Sequence, residues 1–222
     1  MLLAPDRVRR IQTQLCRWGA ENFQVYPWRK PLPLWKGLIA EVMLQRTRAS
    51  QASSVFKELD GRYRTAEEFG HASSAELDEL FAPLGLHWRI ELMHEFARHA
   101  GRSKGRLSRS EQTLQQLPGV GPYAAAAALS LHAGYRAVIV DANVVRVLSR
   151  LVGMPFDGET RRKKWLRELA DRLTPQEHFT EYNYALIDLA MTVCSQSTPK
   201  CPQCPLREQC ATGGSASRRQ SR

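Results

Sequence analysis

Four of the five cysteines lie close together near the C-terminus, with the spacing of a metal-binding loop. Cys194, Cys201, Cys204 and Cys210 follow the pattern C-x6-C-x2-C-x5-C. Four thiolates this close suit structural zinc or an iron–sulfur cluster, and both are favoured over disulfides because most of the chain lacks cysteine. Zinc ribbons usually pair two C-x2-C units, and only one is present, so the spacing favours a [4Fe-4S] cluster. The fifth cysteine, Cys16, stands in a helical pattern and is expected to be a small buried apolar residue.

A second group of residues has the composition of a turn that can bind phosphate. The segment 117–123 has the sequence LPGVGPY and separates two helical stretches. Its glycines permit backbone angles that other residues resist, and Pro122 suits the first turn of a helix. Because a helix N-terminus leaves backbone N–H groups unpaired, the turn offers a phosphate site. A plain tight turn between packed helices is the competing interpretation, and glycine and proline alone favour it.

A third candidate is Asp141, which precedes Ala142 and Asn143 where the next helical pattern begins. Aspartate is a good N-cap residue, so in isolation a capping role is the better interpretation. The same position leaves a carboxylate at a helix N-terminus, where its charge is favourable. Capping and catalysis therefore do not exclude one another.

The elements that position these residues are helical almost everywhere. Apolar residues recur at helical spacing along the chain, as in 38–47, where Glu41, Gln45 and Arg48 project from other faces. Alternation with period two is scarce, and only Ala137–Val140 is a candidate short strand. The chain is predicted to be all-α. Residues 213–222 are expected to form a disordered basic tail.

Composition limits the class of protein and of partner. The 222 residues are 43% hydrophobic and 24% charged, which excludes wholesale disorder. No apolar run has the length of a membrane span, and the N-terminal apolar stretch is too short for a signal peptide, so no membrane partner and a cytoplasmic location are expected. The net charge of +10 favours a polyanion.

Several motifs, in one order, together resemble a known family. They are Pro27–Arg29, Glu41–Thr47, Leu84–Leu86, Leu117–Gly121, Val140–Asn143 and the four clustered cysteines. This set resembles the helix-hairpin-helix (HhH-GPD) DNA glycosylases that include endonuclease III and MutY-type enzymes with a [4Fe-4S] cluster. The resemblance spans about Trp18 to Cys210.

The resemblance implies two helical domains with a DNA-binding cleft between them. Residues 26–135 would form a six-helix barrel carrying the helix-hairpin-helix. Residues 1–25 and 136–222 would form the cluster domain, which ends in the [4Fe-4S] loop (194–210) and the basic tail. Asp141 would lie at the mouth of the cleft. The protein is expected to be a monomer, bacterial or archaeal in type and associated with the nucleoid.

The resemblance also implies catalytic roles for Asp141, Glu41 and Tyr123. A carboxylate at Asp141 would stabilise the oxocarbenium-like sugar and orient the attacking water. Glu41 matches the acid of the adenine-removing members, against the alternative of an exposed helix residue. Members that also cut the DNA backbone place a lysine at the position of Tyr123, and the amine of this lysine forms a Schiff base with the sugar. Tyrosine cannot form a Schiff base. A monofunctional glycosylase is therefore predicted.

Contacts to double-stranded DNA containing a mismatched or damaged base are implied at further positions. Gln45 and Leu86 are the candidate wedges that fill the vacated base stack. The other candidate contacts are Arg46, Gly119, Val120, Gly121 and Asn143. Several basic residues are expected to meet phosphates as a set rather than singly: Arg48, Arg89, 102–106 and 161–164.

Substrate choice rests on a comparison within the family. Tyr123 together with Val140–Asn143 resembles the Mig-type thymine/uracil mismatch glycosylases, which act on T or U opposite G. The adenine glycosylases match at Glu41–Gln45 but place serine at the position of Tyr123, and most add a C-terminal domain for which this length leaves no room. His87–Trp88 fits neither group. An adenine glycosylase and a non-catalytic damage-binding module are the alternatives.

Overall fold

A computed structural model describes residues 3–85 and 88–213, and regular structure in these ranges is entirely helical. The α-helices in chain order are α1 (Pro5–Asn22), α2 (Leu34–Met43), α3 (Ala49–Arg62), α4 (Ala66–His71), α5 (Ser74–Phe81), α6 (Trp88–Arg102), α7 (Glu111–Leu114), α8 (Pro122–His132), α9 (Ala142–Val152), α10 (Lys164–Leu173) and α11 (Phe179–Thr192). Single 3-10 turns occur at Ala82–Leu84, Thr160–Arg162, Cys201–Gln203 and Arg207–Gln209. The predicted all-α class is confirmed. The candidate wedge Leu86, His87 and the tail from 214 onward lie outside the described residues.

The described chain divides into two compact units. One contains the residues up to Gln24 together with those from Arg136 onward, so it holds α1, α9 to α11 and the clustered cysteines. The other, Val25–Tyr135, holds α2 to α8. The barrel and the cluster domain stay predictions for these two units.

In the unit Val25–Tyr135, local sequence sets where helices begin and small residues set how closely they pack. Helices α4 and α5 each start with a capping box, formed by Thr65 with Glu68 and by Ser73 with Glu76. Helices α4 and α6 meet at Gly70, where an added Cβ would lie 2.6 Å from the Cα of Gly101. Helix α8 is buried along its alanine run, and α2 packs against it.

In the other unit, α1 packs on α11 at a glycine contact, since a Cβ on Gly19 would lie 2.4 Å from that of Ala185. Helix α9 is preceded by its N-cap Asp141 and followed by Gly153, which has the left-handed conformation usual after a helix. Cys16 on α1 is half-buried rather than fully buried, and this burial raises the pKa of its thiol.

Two local expectations differ from the structure. The helical pattern predicted through 47 ends at Met43, and Gln45 and Arg46 lie in the following turn, where Arg46 has φ of 57°. The candidate strand Ala137–Val140 has no strand partner in the described chain, and the carbonyl of Ala137 accepts the side-chain amide of Asn183 (3.3 Å).

Within residues 3–85 and 88–213, none of the helices combines the length and the apolar character needed to cross a membrane.

Candidate active site

The Asp141 carboxylate is fixed by its own helix. One oxygen accepts the backbone N–H of Val144 (2.7 Å), and the other accepts the side-chain N–H of Asn143 (2.8 Å). The residue is half-buried at the N-terminus of α9, where the helix dipole favours negative charge. The predicted N-cap is confirmed. Because each carboxylate oxygen accepts more than one hydrogen bond, this anchoring leaves capacity for a water molecule or a developing cation.

A polar chain continues from Asp141 towards the cysteine loop. The Asn143 side-chain oxygen accepts Nη2 of Arg146 (3.1 Å), and Nε of Arg146 donates to the backbone carbonyl of Cys194 (2.8 Å). Arg146 is buried and also donates to the carbonyl of Ala190 (2.9 Å). Sequence reasoning did not identify Arg146, although its spacing of three from Asn143 places both on one helix face. Both ends of the Asn143 amide are thus engaged within this unit.

Glu41 is not an exposed helix residue. Its side chain is 2% exposed, and Oε1 lies 3.3 Å from Nε2 of His132, whose side chain is 0% exposed. Glu41 lies on α2 and His132 is the last residue of α8. Sequence reasoning did not identify His132, which follows an apolar run and carries no motif. The structure brings an acid and an imidazole together in a buried place.

The segment after α7 forms the predicted turn. Gly119 has φ of 75°, the left-handed region that favours glycine, and Gly121 is the N-cap of α8 with Pro122 as its first residue. Among the described residues, the N–H groups of Gly119 and Gly121 make no backbone hydrogen bond. Val120 has a buried side chain, and its N–H donates to the carbonyl of Leu117 (3.1 Å).

Tyr123 is the second residue of α8, half-buried directly after the turn. The structure therefore places a phenol in the first helical turn, where the bifunctional members of the resembled family are expected to carry an amine. No lysine occurs in this helix.

The turn that follows α2 lies against this glycine-containing segment. The Gln45 side-chain amide donates to the carbonyl of Gly119 (3.0 Å). Gln45 and Gly119 line a cavity of about 390 Å³. Its other lining residues are Val42, Trp88, Arg89, Leu92, Gln115, Leu117, Val120 and Gly121. Arg46 is exposed beside them.

Arg89 is buried, so it does not contribute to the set of basic residues that is expected to meet phosphates. Its side chain donates to the carbonyls of Val42 (3.2 Å) and Gln45 and to the hydroxyl of Thr47 (2.8 Å). Arg89 is 2% exposed, and burial lowers its pKa, with the positive charge of Arg46 acting in the same direction. Its guanidinium satisfies the carbonyls left at the end of α2 and so holds the Gln45 turn in place.

The four clustered cysteines line one apolar cavity together with Val147, Leu151, Leu189, Val193 and Leu206. Burial raises the pKa of the Cys204 thiol to about 11, and the charges of the other three cysteines act in the same direction. A bound cation would offset the cost of placing a Cys204 thiolate in this cavity. In the ranges 3–85 and 88–213, no group of three or more His, Cys, Asp or Glu side chains is arranged to hold a metal ion. Four cysteines at one apolar cavity are the donor set of both structural zinc and an iron–sulfur cluster.

Arg150 supports this loop, and sequence reasoning did not identify it. Its Nη1 donates to the sulfur of Cys194 (3.5 Å) and to the carbonyl of Ser195 (2.7 Å), and its Nη2 donates to the carbonyl of Gln196 (2.8 Å). The Cys210 thiol donates to the carbonyl of Arg150 (3.3 Å). Helix α9 therefore carries both Asp141 and the side chains that hold the cysteine loop.

The other basic residues that are expected to meet phosphates are surface groups. Residues 161–164 are exposed, and Arg162 pairs with Glu159 (2.6 Å) and Lys164 with Glu168 (3.7 Å). Arg48 and Arg102 are exposed as well. Exposed arginines that are not held in ion pairs stay candidates for phosphate contacts.

Comparison with known proteins gives a consistent assignment. Residues 39–175 match the model of the HhH-GPD superfamily base excision DNA repair protein. A thymine-DNA glycosylase from Aeropyrum pernix is 32% identical, over 95% of this chain and 97% of its own. The solved structure of a thermostable thymine-DNA glycosylase has a TM-score of 0.86 at 28% identity, covering 95% of this chain and 98% of that one. A human adenine DNA glycosylase is 31% identical over 91% of this chain but only 39% of its own length.

Proposed function

Because this chain belongs to the HhH-GPD superfamily of base excision DNA repair proteins, we propose that it is a monofunctional DNA glycosylase. Its substrate is double-stranded DNA with thymine or uracil opposite guanine, from which it flips the mispaired base and hydrolyses the N-glycosidic bond. The observation that carries the proposal is the Asp141 carboxylate, anchored at the start of α9 by Val144 and Asn143. The thymine-DNA glycosylase relative, similar over nearly its full length, supports a mispaired pyrimidine as substrate.

The chemical step requires charge stabilisation on the sugar and help for the leaving base. As the glycosidic bond breaks, its electron pair leaves with the base and the sugar gains oxocarbenium character. The Asp141 carboxylate stabilises that cation and accepts a proton from the water that attacks the sugar carbon. Its two existing hydrogen bonds hold its orientation, so little reorganisation accompanies the reaction. Glu41 donates a hydrogen bond or a proton to the departing base.

DNA contact begins at the turn before α8. The N–H groups of Gly119 and Gly121 bind a backbone phosphate, and the exposed Arg46 adds positive charge. Gln45, whose side-chain amide donates to the carbonyl of Gly119, is proposed to enter the base stack of the DNA. The side chain of Val120 is buried and its N–H donates to the carbonyl of Leu117, so the phosphate contact is proposed for the two glycines. The protein is proposed to act as a monomer.

The cofactor is proposed to be a [4Fe-4S] cluster held by Cys194, Cys201, Cys204 and Cys210. The spacing C-x6-C-x2-C-x5-C, with only one C-x2-C unit, and the apolar cavity that the four cysteines line support this proposal. When bound, the cluster would cross-link the four cysteines and so hold this loop in place. Arg150 and Arg146 tie the loop to α9, so its order bears directly on the helix that presents Asp141.

Strand cleavage is expected to be absent because Tyr123 cannot form a Schiff base. Incubation with a substrate duplex and borohydride should leave no covalent protein–DNA adduct, whereas abasic sites accumulate and are cut only after alkali treatment. Gel analysis of both reactions measures this. A trapped adduct at the substrate position would contradict the monofunctional assignment and point to another amine as nucleophile.

An adenine glycosylase is the second candidate, favoured by one observation. The buried acid Glu41 is present, and the human adenine DNA glycosylase is 31% identical. That relative is matched over only 39% of its length, whereas the thymine-DNA glycosylase is matched over 97%. The thymine-DNA glycosylase relative and the solved thymine-DNA glycosylase structure favour the mismatch function.

A panel of duplexes ranks these functions. Single-turnover release of the base is measured from T·G, U·G, A·G, A opposite 8-oxoguanine, and hypoxanthine. We expect release from T·G and U·G to be fastest. Faster release of adenine would support the second candidate. Tight binding to all duplexes with no release from any would instead indicate a non-catalytic damage-binding module.

A further inference from the structure

Glu41 and His132 form a buried contact in which each side chain satisfies the polar group of the other. The two side chains come from α2 and α8, are 2% and 0% exposed, and approach to 3.3 Å. A buried carboxyl and a buried imidazole each need a partner, because an unpaired polar group in the interior costs free energy. Each finds that partner in the other.

Helix α2 makes room for the imidazole with a glycine. A Cβ added at Gly37 would lie 2.4 Å from Cγ of His132 and 2.6 Å from its Cδ2, closer than packed atoms allow. Gly37 precedes Glu41 by one helical turn, so the glycine and the acid lie on the same face of α2. That face accommodates the ring beneath the carboxyl.

The second ring nitrogen identifies the tautomer. Nδ1 of His132 is buried and has no hydrogen-bond partner among the described residues. An unpaired acceptor is tolerated in protein interiors more often than an unpaired N–H. The proton of a neutral His132 therefore belongs on Nε2, where it is donated to Oε1 of Glu41.

We infer that His132 is a positioning residue for Glu41, holding Oε1 so that Oε2 faces the leaving base. The inference rests on the proposed glycosylase function. In the step, the glycosidic electron pair moves to the base, and the proton on Oε2 of Glu41 moves to that base. Glu41 becomes a carboxylate while Nε2–H of His132 keeps donating to Oε1. The hydrogen bond then has a charged acceptor, so it strengthens in the transition state and accelerates the reaction.

Two substitutions separate this role from packing. Leucine at His132 removes the donor, whereas glutamine places an amide N–H near the former Nε2. On a U·G or T·G duplex, His132→Leu should release the base about tenfold more slowly, with duplex binding unchanged, and His132→Gln should recover most of the rate. Thermal unfolding of each variant is measured alongside.

The outcomes are distinct. A wild-type rate in His132→Leu overturns the inference and leaves the proposed function intact. Equal slowing in both variants also overturns it, since packing alone would then explain the effect. A wild-type protein that releases no base from any duplex overturns the proposed function, and this inference with it.

The tautomer is tested without activity. In protein labelled with ¹⁵N-histidine, the His132 signals are those absent from the His132→Gln spectrum. We expect a protonated Nε2 and an unprotonated Nδ1, and we expect the Nε2 signal to shift in Glu41→Gln. A protonated Nδ1, or signals insensitive to Glu41→Gln, would overturn the inference even if neither His132→Leu nor Glu41→Gln were active.

Discussion

Asp141→Asn is expected to slow base release by about a thousandfold or more, a loss typical of removing the main electrostatic stabiliser of a transition state. The neutral amide neither balances the oxocarbenium charge nor accepts the proton of the attacking water. The loss should appear in the single-turnover rate and not in the affinity for mismatched DNA, because the substitution adds no bulk and removes one negative charge near a polyanion.

We expect Asp141→Asn to fold as the wild type does. A change in its rate of base release therefore reports on the chemical step. Asparagine caps helices as well as aspartate does, so its side-chain oxygen can still accept the N–H of Val144. The hydrogen bond from Asn143 is the one at risk, since an amide end replaces a carboxylate oxygen. We therefore expect a melting temperature within a few degrees of that of the wild type.

Asp157→Asn is the matched control. Asp157 lies in the same unit, and its side chain accepts hydrogen bonds from the hydroxyl of Thr160 (2.8 Å) and the N–H of Glu159 (3.0 Å), which hold its pKa below the usual range. The control thus converts an equally engaged carboxylate to an amide and should excise at the wild-type rate. Excision by Asp141→Asn at that same rate would contradict the proposed mechanism.

The features that sequence predicts well here depend on neighbours along the chain. The cap formed by Asp141 involves an N–H three residues away, and the Gly119–Gly121 turn is determined by φ angles and by Pro122. Such interactions are settled within one helical turn, so residue types at fixed offsets suffice to predict them. The four cysteines belong here as well, since their spacing alone places them on one loop.

The Glu41–His132 contact shows what sequence could not provide. The two residues are 91 positions apart, and the imidazole fits only because Gly37 lacks a side chain. Helical periodicity placed Glu41 on the polar side of its helix, but it cannot reveal that another helix covers that side. The contact depends on how α2 packs on α8, which no local pattern encodes.

The burial of Arg89 likewise could not be predicted from the sequence. Arg89 belongs to a set of basic residues that is expected to meet phosphates, yet it is buried under the end of α2. The helix ends earlier than its apolar pattern predicts, and its free carbonyls need a donor. An arginine can be buried against backbone carbonyls or can bind phosphate. Which of the two occurs depends on which carbonyls remain unpaired, and only the folded structure shows this.

Cys204→Ser is expected to abolish cluster binding and to lower the melting temperature by about 10 °C or more. Cys204 lies in the apolar cavity among the other three cysteines, and serine is a poor ligand for iron of a cluster. Without the cluster, no group joins the four cysteines of the loop. Arg146 and Arg150 then connect α9 to a segment that the cluster no longer holds in place. Visible absorption, iron and acid-labile sulfide content, and thermal unfolding measure the effect.

Cys16→Ser is the matched control, because it changes the fifth cysteine by the same single atom. Cys16 is half-buried on α1 and is not among the residues that line the cluster cavity. It should retain the absorption band and the iron content, with a small loss of stability from one more polar atom in a partly buried place. Wild-type protein that contains one zinc per chain and no sulfide would contradict the cluster assignment. Loss of the band in both variants would show that the effect is not specific to the four-cysteine loop.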